Sequence, residues 1–110
     1  MEMVSFNGWQ ECIRFQNELV DVVISTQFGP RILRYGFLDE ENEFAELEEE
    51  QGKTGGEKWR MYGGHRLWHA PEADPRTYYP DNEPLEWRDM GDGVRLIQPV
   101  ERTTGIQKEM

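Results

Sequence analysis

Cysteine is almost absent from this chain of 110 residues, in which Cys12 is the only one. A lone cysteine cannot close a disulfide within the chain and cannot supply a cysteine-rich zinc site. Small secreted domains usually carry paired cysteines, so the sequence predicts a cytoplasmic location. No apolar run reaches the length of a membrane span, and residues 1–3 lack the charged and apolar regions of a signal peptide. We therefore expect no membrane association.

Positive charge is also scarce, since 12 basic residues stand against 22 acidic residues and give a formal net charge of -10. Nucleic acids and anionic membrane surfaces both attract a positive field, so this balance argues against either partner. The excess lies mainly in residues 39–50, which hold eight of the acids and no base. The rest of the chain is nearly balanced, so the overall acidity says little about a ligand site elsewhere.

Hydrophobic residues are few, at 36%, and the mean hydropathy of -0.84 is typical of disordered chains. Aromatic residues, at 12%, are too frequent for a solvated tail, because such tails have little to bury. The length fits one folded domain. We predict a single β-rich domain over residues 1–110, without internal repeats.

Segments rich in β-branched and aromatic residues predict an all-β fold. The predicted strands are residues 12–15, 19–26, 31–38, 84–88, 94–98 and 104–110. Asp92-Gly93 predicts a hairpin turn between the fourth and fifth of them. Their spacing fits an antiparallel β-sandwich. A last strand at the chain end would leave a sheet edge unpaired, which makes a homodimer through sheet edges one hypothesis.

Two connections lack a clear strand pattern. Residues 39–56 are acidic and glycine-rich, and both a short helix and an irregular loop remain open, because Glu, Leu and Ala favour a helix while adjacent glutamates repel. Residues 57–84 contain five aromatic residues and four prolines without periodicity. A long irregular segment in a compact domain is usually functional, and these aromatics argue against a linker.

Two fragments of known motifs in these connections are incomplete. Residues 52–54 match the end of a phosphate-binding loop, but Leu47 stands where its first glycine is needed. His65 and His69 lie four apart, yet glycine and proline flank them too closely for a metal-binding helix. Arg66 also replaces the glutamate base of a metalloprotease. We expect neither a nucleotide cofactor nor a bound metal.

The same aromatic segment suits a sugar. Trp59 or Trp68 can stack on the apolar face of a sugar ring, and Arg66, with the two histidines, can donate hydrogen bonds to its hydroxyl groups. Histidine also titrates near neutrality, which makes His65 and His69 the candidates for proton transfer at an anomeric carbon. The alternative is that the tryptophans pack in the core and that Arg66 pairs with the acidic segment.

The chain reads GPRI at 29–32, ENEF at 41–44 and YGGHRLW at 62–68. These stretches resemble the early portion of galactose mutarotase-like proteins, the aldose 1-epimerase superfamily, and most closely its uncharacterised members. The resemblance implies an antiparallel β-supersandwich, of which this chain would form part. It places Arg66 where the family has a substrate-facing arginine, and His65 matches loosely. The family's acid–base histidine and glutamate come from later segments, and no residue here matches them.

Three hypotheses follow for the function. The first is a carbohydrate-binding β-sandwich related to sugar mutarotases and not catalytically complete by itself. Its ligand would meet Trp59, His65, Arg66, Trp68 and His69. The second is an active aldose 1-epimerase-like isomerase that uses His65 or His69. The third is an interaction module that dimerises through exposed sheet edges.

Overall fold

The computed structural model describes all 110 residues and contains strands but no α-helix. One antiparallel sheet has five strands in chain order, namely β1 (Glu2–Phe6), β2 (Trp9–Gln16), β3 (Val20–Ser25), β4 (Arg31–Phe37) and β5 (His65–Arg66). A second antiparallel sheet has two strands, β6 (Glu86–Asp89) and β7 (Val94–Ile97). The predicted all-β fold with antiparallel sheets is confirmed.

Turn chemistry explains the first two hairpins. Asn7 and Gly8 adopt positive φ angles of 48° and 89°, as an Asn-Gly turn between antiparallel strands requires. Between β2 and β3, the side chain of Asn17 accepts hydrogen bonds from the backbone N–H groups of Leu19 and Val20 at 2.8 and 2.9 Å. The sequence predicts the β2–β3 hairpin, and also the β6–β7 hairpin with its turn at Asp92-Gly93, whereas β1 has no counterpart among the predicted strands.

Both faces of the large sheet carry buried residues around β3, where the neighbouring residues Val23 and Ile24 point to opposite sides. Ile24 packs with Leu85 and Leu96, so the second sheet lies against this face and completes a sandwich. Val23 belongs to a cluster on the other face, whose remaining buried members are Trp9, Cys12, Phe28, Leu33 and Tyr62. The aromatic segment, through Tyr62, therefore covers the face that the second sheet leaves free.

Three aromatic rings organise the cluster on that second face. The ring of Phe28 stacks on Tyr62 with centroids 4.0 Å apart, and Trp9 lies 4.9 Å from Phe28. Cys12 is packed beside them and is 1% exposed. Burial raises the pKa of the Cys12 thiol to about 11, which keeps it protonated and unreactive. Cys12 is thus a core residue, as its apolar neighbours predict.

Both long connections are irregular. Residues 39–56 form no α-helix and contain only one short 3-10 turn, Glu48–Glu50. Asn42 ties this segment to β4, since its side chain donates to the carbonyl of Leu33 and accepts from the N–H of Tyr35. Residues 57–84 contain only β5 and the 3-10 turn Arg76–Tyr78. No helix of the structure is long and apolar enough to cross a membrane.

The chain end lies beside β7 over a short distance. Leu96 and Met110 exchange two backbone hydrogen bonds of 2.8 and 3.0 Å, and Gln98 donates to the carbonyl of Lys108. The predicted strand at residues 104–110 is therefore wrong in extent, because only its last residues pair. Its beginning turns instead, with Glu101 and Gly105 joined by a backbone hydrogen bond.

Candidate functional site

Two glycines bring the aromatic segment onto the edge of the large sheet. Gly63 and Gly64 have φ angles of 85° and 69°. A β-carbon on Gly63 would lie 2.1 Å from the carbonyl oxygen of Ala45, and one on Gly64 would lie 2.3 Å from that of Ile32. Only glycine satisfies both the backbone conformation and the close approach. The chain can therefore enter β5 here and place Arg66 opposite β4.

Burial separates the predicted site residues of β5 and of the stretch after it. Arg66 is 5% exposed and His69 is 8% exposed, whereas His65 and Trp68 reach solvent. The ring of His65 stacks beside Phe44 with centroids 6.2 Å apart. His65 and His69 thus lie in different surroundings and do not act as a pair.

Two tryptophan rings face the Arg66 guanidinium and a tyrosine ring packs against both of them; we call Trp59, Trp68 and Tyr78 the aromatic enclosure. The guanidinium carbon lies 4.1 Å from the ring centroid of Trp68 and 5.2 Å from that of Trp59. Tyr78 stands edge-on to both tryptophans, with centroids 5.5 and 5.3 Å away. Its hydroxyl donates a hydrogen bond to Glu72, which fixes the ring and raises the pKa of Tyr78.

Arg66 is a buried cation without a carboxylate partner. Its Nη2 donates to the carbonyl of Thr77 at 2.7 Å, and its Nη1 has no hydrogen-bond partner. Burial lowers the pKa of Arg66, and the carboxylate of Asp81 acts in the opposite direction. The alternative in which Arg66 pairs with the acidic segment is wrong, because the guanidinium contacts the aromatic enclosure instead. Cation–π contacts are its compensation for lost hydration.

A cavity of about 340 Å³ opens beside the aromatic enclosure. Four of the five predicted ligand residues line it, namely Trp59, His65, Arg66 and Trp68. Arg31, Met61, Tyr78 and the two glycines complete its walls. No aspartate or glutamate is among the lining residues. The cavity thus has aromatic and cationic walls.

His69 does not line this cavity and lies in a buried polar cluster. Its Nε2 is 3.1 Å from Oε1 of Glu101, which is 1% exposed. The same carboxylate accepts hydrogen bonds from Gln98 and Thr104, and Nζ of Lys108 lies 3.7 Å from it. Burial lowers the pKa of Lys108. His69 therefore joins the aromatic segment to the chain end.

Arg31 holds the other side of the aromatic segment. Its Nη2 lies 2.9 Å from Oδ2 of Asp81, and both side chains are almost fully buried. Its Nη1 donates to the carbonyl of Gly63 at 2.6 Å. The guanidinium also covers the ring of Tyr62, where burial and the nearby Asp81 raise the pKa of the phenol to about 12. The Arg31–Asp81 ion pair thus fixes the position of Gly63, through which the chain reaches the cavity.

Metal binding has no geometric basis in the structure. No group of three or more His, Cys, Asp or Glu side chains is arranged to hold a metal ion. Glu72, three positions after His69, accepts a hydrogen bond from the hydroxyl of Tyr78.

Comparison with known proteins gives no family assignment. No protein family, curated protein or solved structure matches this chain. The fold and the site define an all-β sandwich with an aromatic-walled cavity beside its five-stranded sheet. What the chain binds must therefore be inferred from the chemistry of that cavity.

Proposed function

We propose that this protein binds a carbohydrate in the cavity beside the aromatic enclosure, as a β-sandwich related to sugar mutarotases. The observation that carries the proposal is the half-exposed ring of Trp68, which is 50% exposed. Arg66 supports one face of this ring, while the side chain stays open to solvent and to the cavity. A supported indole face with polar groups beside it suits the apolar face and the hydroxyl rim of a sugar.

The polar groups of the cavity are mainly donors. Nη1 of Arg66 and Nε1 of Trp59 have no hydrogen-bond partner, and both residues line the cavity. A buried donor without a partner costs roughly 1–3 kcal/mol. Both atoms are closed off from solvent, so a ligand hydroxyl reaches them only after the neighbouring side chains shift, and a hydrogen bond formed there would recover that free energy. The site thus favours a ligand rich in hydroxyl groups.

The site has the groups for binding and lacks a pair for catalysis. Proton transfer at an anomeric carbon uses an acid and a base on either side of the sugar. His65 is the one histidine of the cavity, and no carboxylate lines the walls. His69 is held by Glu101 away from the cavity. We therefore propose a binding protein that is not catalytically complete by itself.

Titration with common hexoses, followed by amide and indole NMR shifts, tests the proposal. Shifts should concentrate in residues 59–72 and should include the indole signal of Trp68. Trp68→Ala should reduce the affinity at least tenfold, because the stacking surface is lost. Trp87→Ala is the matched control, since this tryptophan is 36% exposed on β6 and does not line the cavity. Unchanged spectra at millimolar sugar would refute carbohydrate binding.

An active epimerase is the second candidate, and the position of His65 in the cavity wall favours it. A polarimetric assay of mutarotation decides between the two. A rate above buffer that falls in His65→Ala would support an enzyme. A rate equal to buffer, together with sugar binding, would support the binding protein.

Dimerisation through sheet edges is the third candidate. The outer edge of β1 is unpaired, because this strand is the first of the five-stranded sheet. Unpaired strand edges offer backbone groups to a second chain. Sedimentation at high protein concentration should then give a dimer, and Val4→Pro should return it to monomer. A strict monomer would refute this candidate.

We also propose the cytoplasm as the compartment of this chain. The reason is the single cysteine, Cys12, which is buried and has no partner for a disulfide. Localisation of a tagged protein in fractionated cells tests this directly, and recovery from an extracytoplasmic fraction would contradict it.

A further inference from the structure

The aromatic enclosure has a second cavity on it. This cavity has a volume of about 540 Å³ and is lined by Trp59 and Tyr78 together with Tyr79 and several polar residues. It shares those two rings, and no other residue, with the cavity described above. Trp59 and Tyr78 meet edge to face with centroids 5.3 Å apart. A single aromatic pair therefore forms the common wall of two neighbouring cavities.

Both cavities have the size of a small-ligand site. Volumes of about 340 and 540 Å³ lie within the roughly 300–1,000 Å³ that ligand sites occupy. A ligand confined to either cavity would leave the other side of the shared wall in water. A ligand of two linked rings would bury both sides of it.

The polar linings of the two cavities differ. Cationic side chains line the first, and no carboxylate does. Glu57, Asn82, Glu83 and Arg102 line the second, which adds strong acceptors. The backbone N–H of Arg102 donates to the hydroxyl of Tyr79 at 3.1 Å, and this contact holds the ring at the cavity wall. Hydroxyl groups are both donors and acceptors, so one polyhydroxy ligand can use both linings.

We propose that the ligand is an oligosaccharide of at least two sugar rings, with one ring on each side of the wall formed by Trp59 and Tyr78. This proposal rests on the proposed carbohydrate binding and names the ligand class. The first ring stacks on Trp68 above Arg66. The second ring packs on Tyr79, and its hydroxyl groups donate to Glu57 and Glu83. The glycosidic bond passes over the rim that Trp59 and Tyr78 form between the two cavities.

Isothermal titration with matched sugars tests this. The probes are methyl glucoside and methyl galactoside as single rings, and maltose, cellobiose and lactose as pairs. At least one disaccharide should bind tenfold or more tightly than both single rings, because only a disaccharide contacts both cavities. If every disaccharide binds no more tightly than the single rings, the proposal is wrong while carbohydrate binding stands. If no sugar binds, both are wrong.

Variants show which of the two cavities provides the gain in affinity for a disaccharide. Tyr79→Ala should lower the ratio of disaccharide affinity to single-ring affinity at least fivefold, and Trp68→Ala should lower both affinities and leave this ratio nearer its original value. Glu57→Gln, at an exposed position, gives a second measure of the ratio without a risk to folding. Trp87→Ala should change neither affinity. An unchanged ratio in both Tyr79→Ala and Glu57→Gln would overturn the assignment of the second cavity.

Discussion

The two ways in which residues 57–84 are attached to the sheet differ in their chemistry. Tyr62 enters an aromatic cluster, where Phe28 stacks on it at 4.0 Å and the Arg31 guanidinium lies 5.2 Å from its ring centroid. Elsewhere in the segment, the attachment consists of buried polar and charged pairs, Asp81 with Arg31 and His69 with Glu101. Apolar packing is tolerant of its partners, whereas buried ions demand particular ones. The aromatic attachment therefore gives stability, and the ionic attachment gives the segment one geometry.

That division explains why the cavity lies where it does. The ionic attachments fix Gly63 on one side and the chain end on the other. Arg66 lies between them and has no carboxylate of its own. The free energy of burying its charge depends on the aromatic enclosure, so the enclosure and the guanidinium stabilise each other's position. Under the proposed function, the ligand would therefore meet a surface whose side chains already hold one another in place.

Removing the centre of the aromatic attachment should have the largest effect. Phe28 is 0% exposed, so Phe28→Ala should lower the free energy of unfolding by about 3–5 kcal/mol. Urea denaturation followed by tryptophan fluorescence measures this. Phe37→Ala is the control, since Phe37 is 59% exposed on β4 and should cost less than about 1 kcal/mol. Equal losses in the two variants would refute the central place of Phe28.

Breaking the ionic attachment should come next. Asp81→Asn removes the charge opposite Arg31 and leaves a buried cation unpaired, which should cost about 3 kcal/mol. Hydrogen exchange should also show faster opening of residues 57–84 than of β2 and β3. Glu86→Gln is the control, because Glu86 pairs with Arg88 on the surface and should contribute less than about 1 kcal/mol. A wild-type exchange pattern in Asp81→Asn would show that the ion pair does not hold the segment.

The thiol in the aromatic cluster gives a pH-dependent prediction. Burial raises the pKa of Cys12 from 9.0 to about 11, so the folded chain holds this proton more tightly than the unfolded chain. The contribution is fully present below pH 9 and is lost as the pH rises through 11, at a cost of about 2 kcal/mol. Comparison of stability with Cys12→Val between pH 8 and 11 isolates it from Tyr62, which titrates higher. Parallel curves for the two proteins would contradict the shift.

The strands are the part of the fold that sequence patterns predict well. Enrichment in β-branched and aromatic residues gives the strands predicted at 19–26 and 31–38, and the Asp92-Gly93 turn signal precedes the strand predicted at 94–98. The strand β1 is exposed along much of its length and lacks that signal. The Asn7-Gly8 dipeptide is the one local indication of its hairpin.

The ionic attachment is the part that sequence patterns do not predict. Trp59 and Trp68 stand out in the sequence because tryptophan is a rare residue type. Arg66 stands out because the two glycines that position it lie just before it in the chain. Glu101 and Asp81 are two of 22 acidic residues, and nothing near them marks either as buried. Their partners lie 32 and 50 positions away. Pairing over that distance is set by the tertiary fold. The sequence therefore suggests His69 as a ligand residue and gives no sign that Glu101 is its partner.

The smallest effect on stability should come from the residue with the largest effect on binding. Trp68 is half-exposed, so Trp68→Ala forfeits little burial and loses mainly its contact with Arg66 at 4.1 Å. We expect a loss of about 1 kcal/mol in the free energy of unfolding. The hexose affinity should fall at least tenfold in the same protein. A loss near that of Phe28→Ala would instead place Trp68 among the core residues. The fall in affinity would then follow from lost stability and not from a missing contact with the ligand.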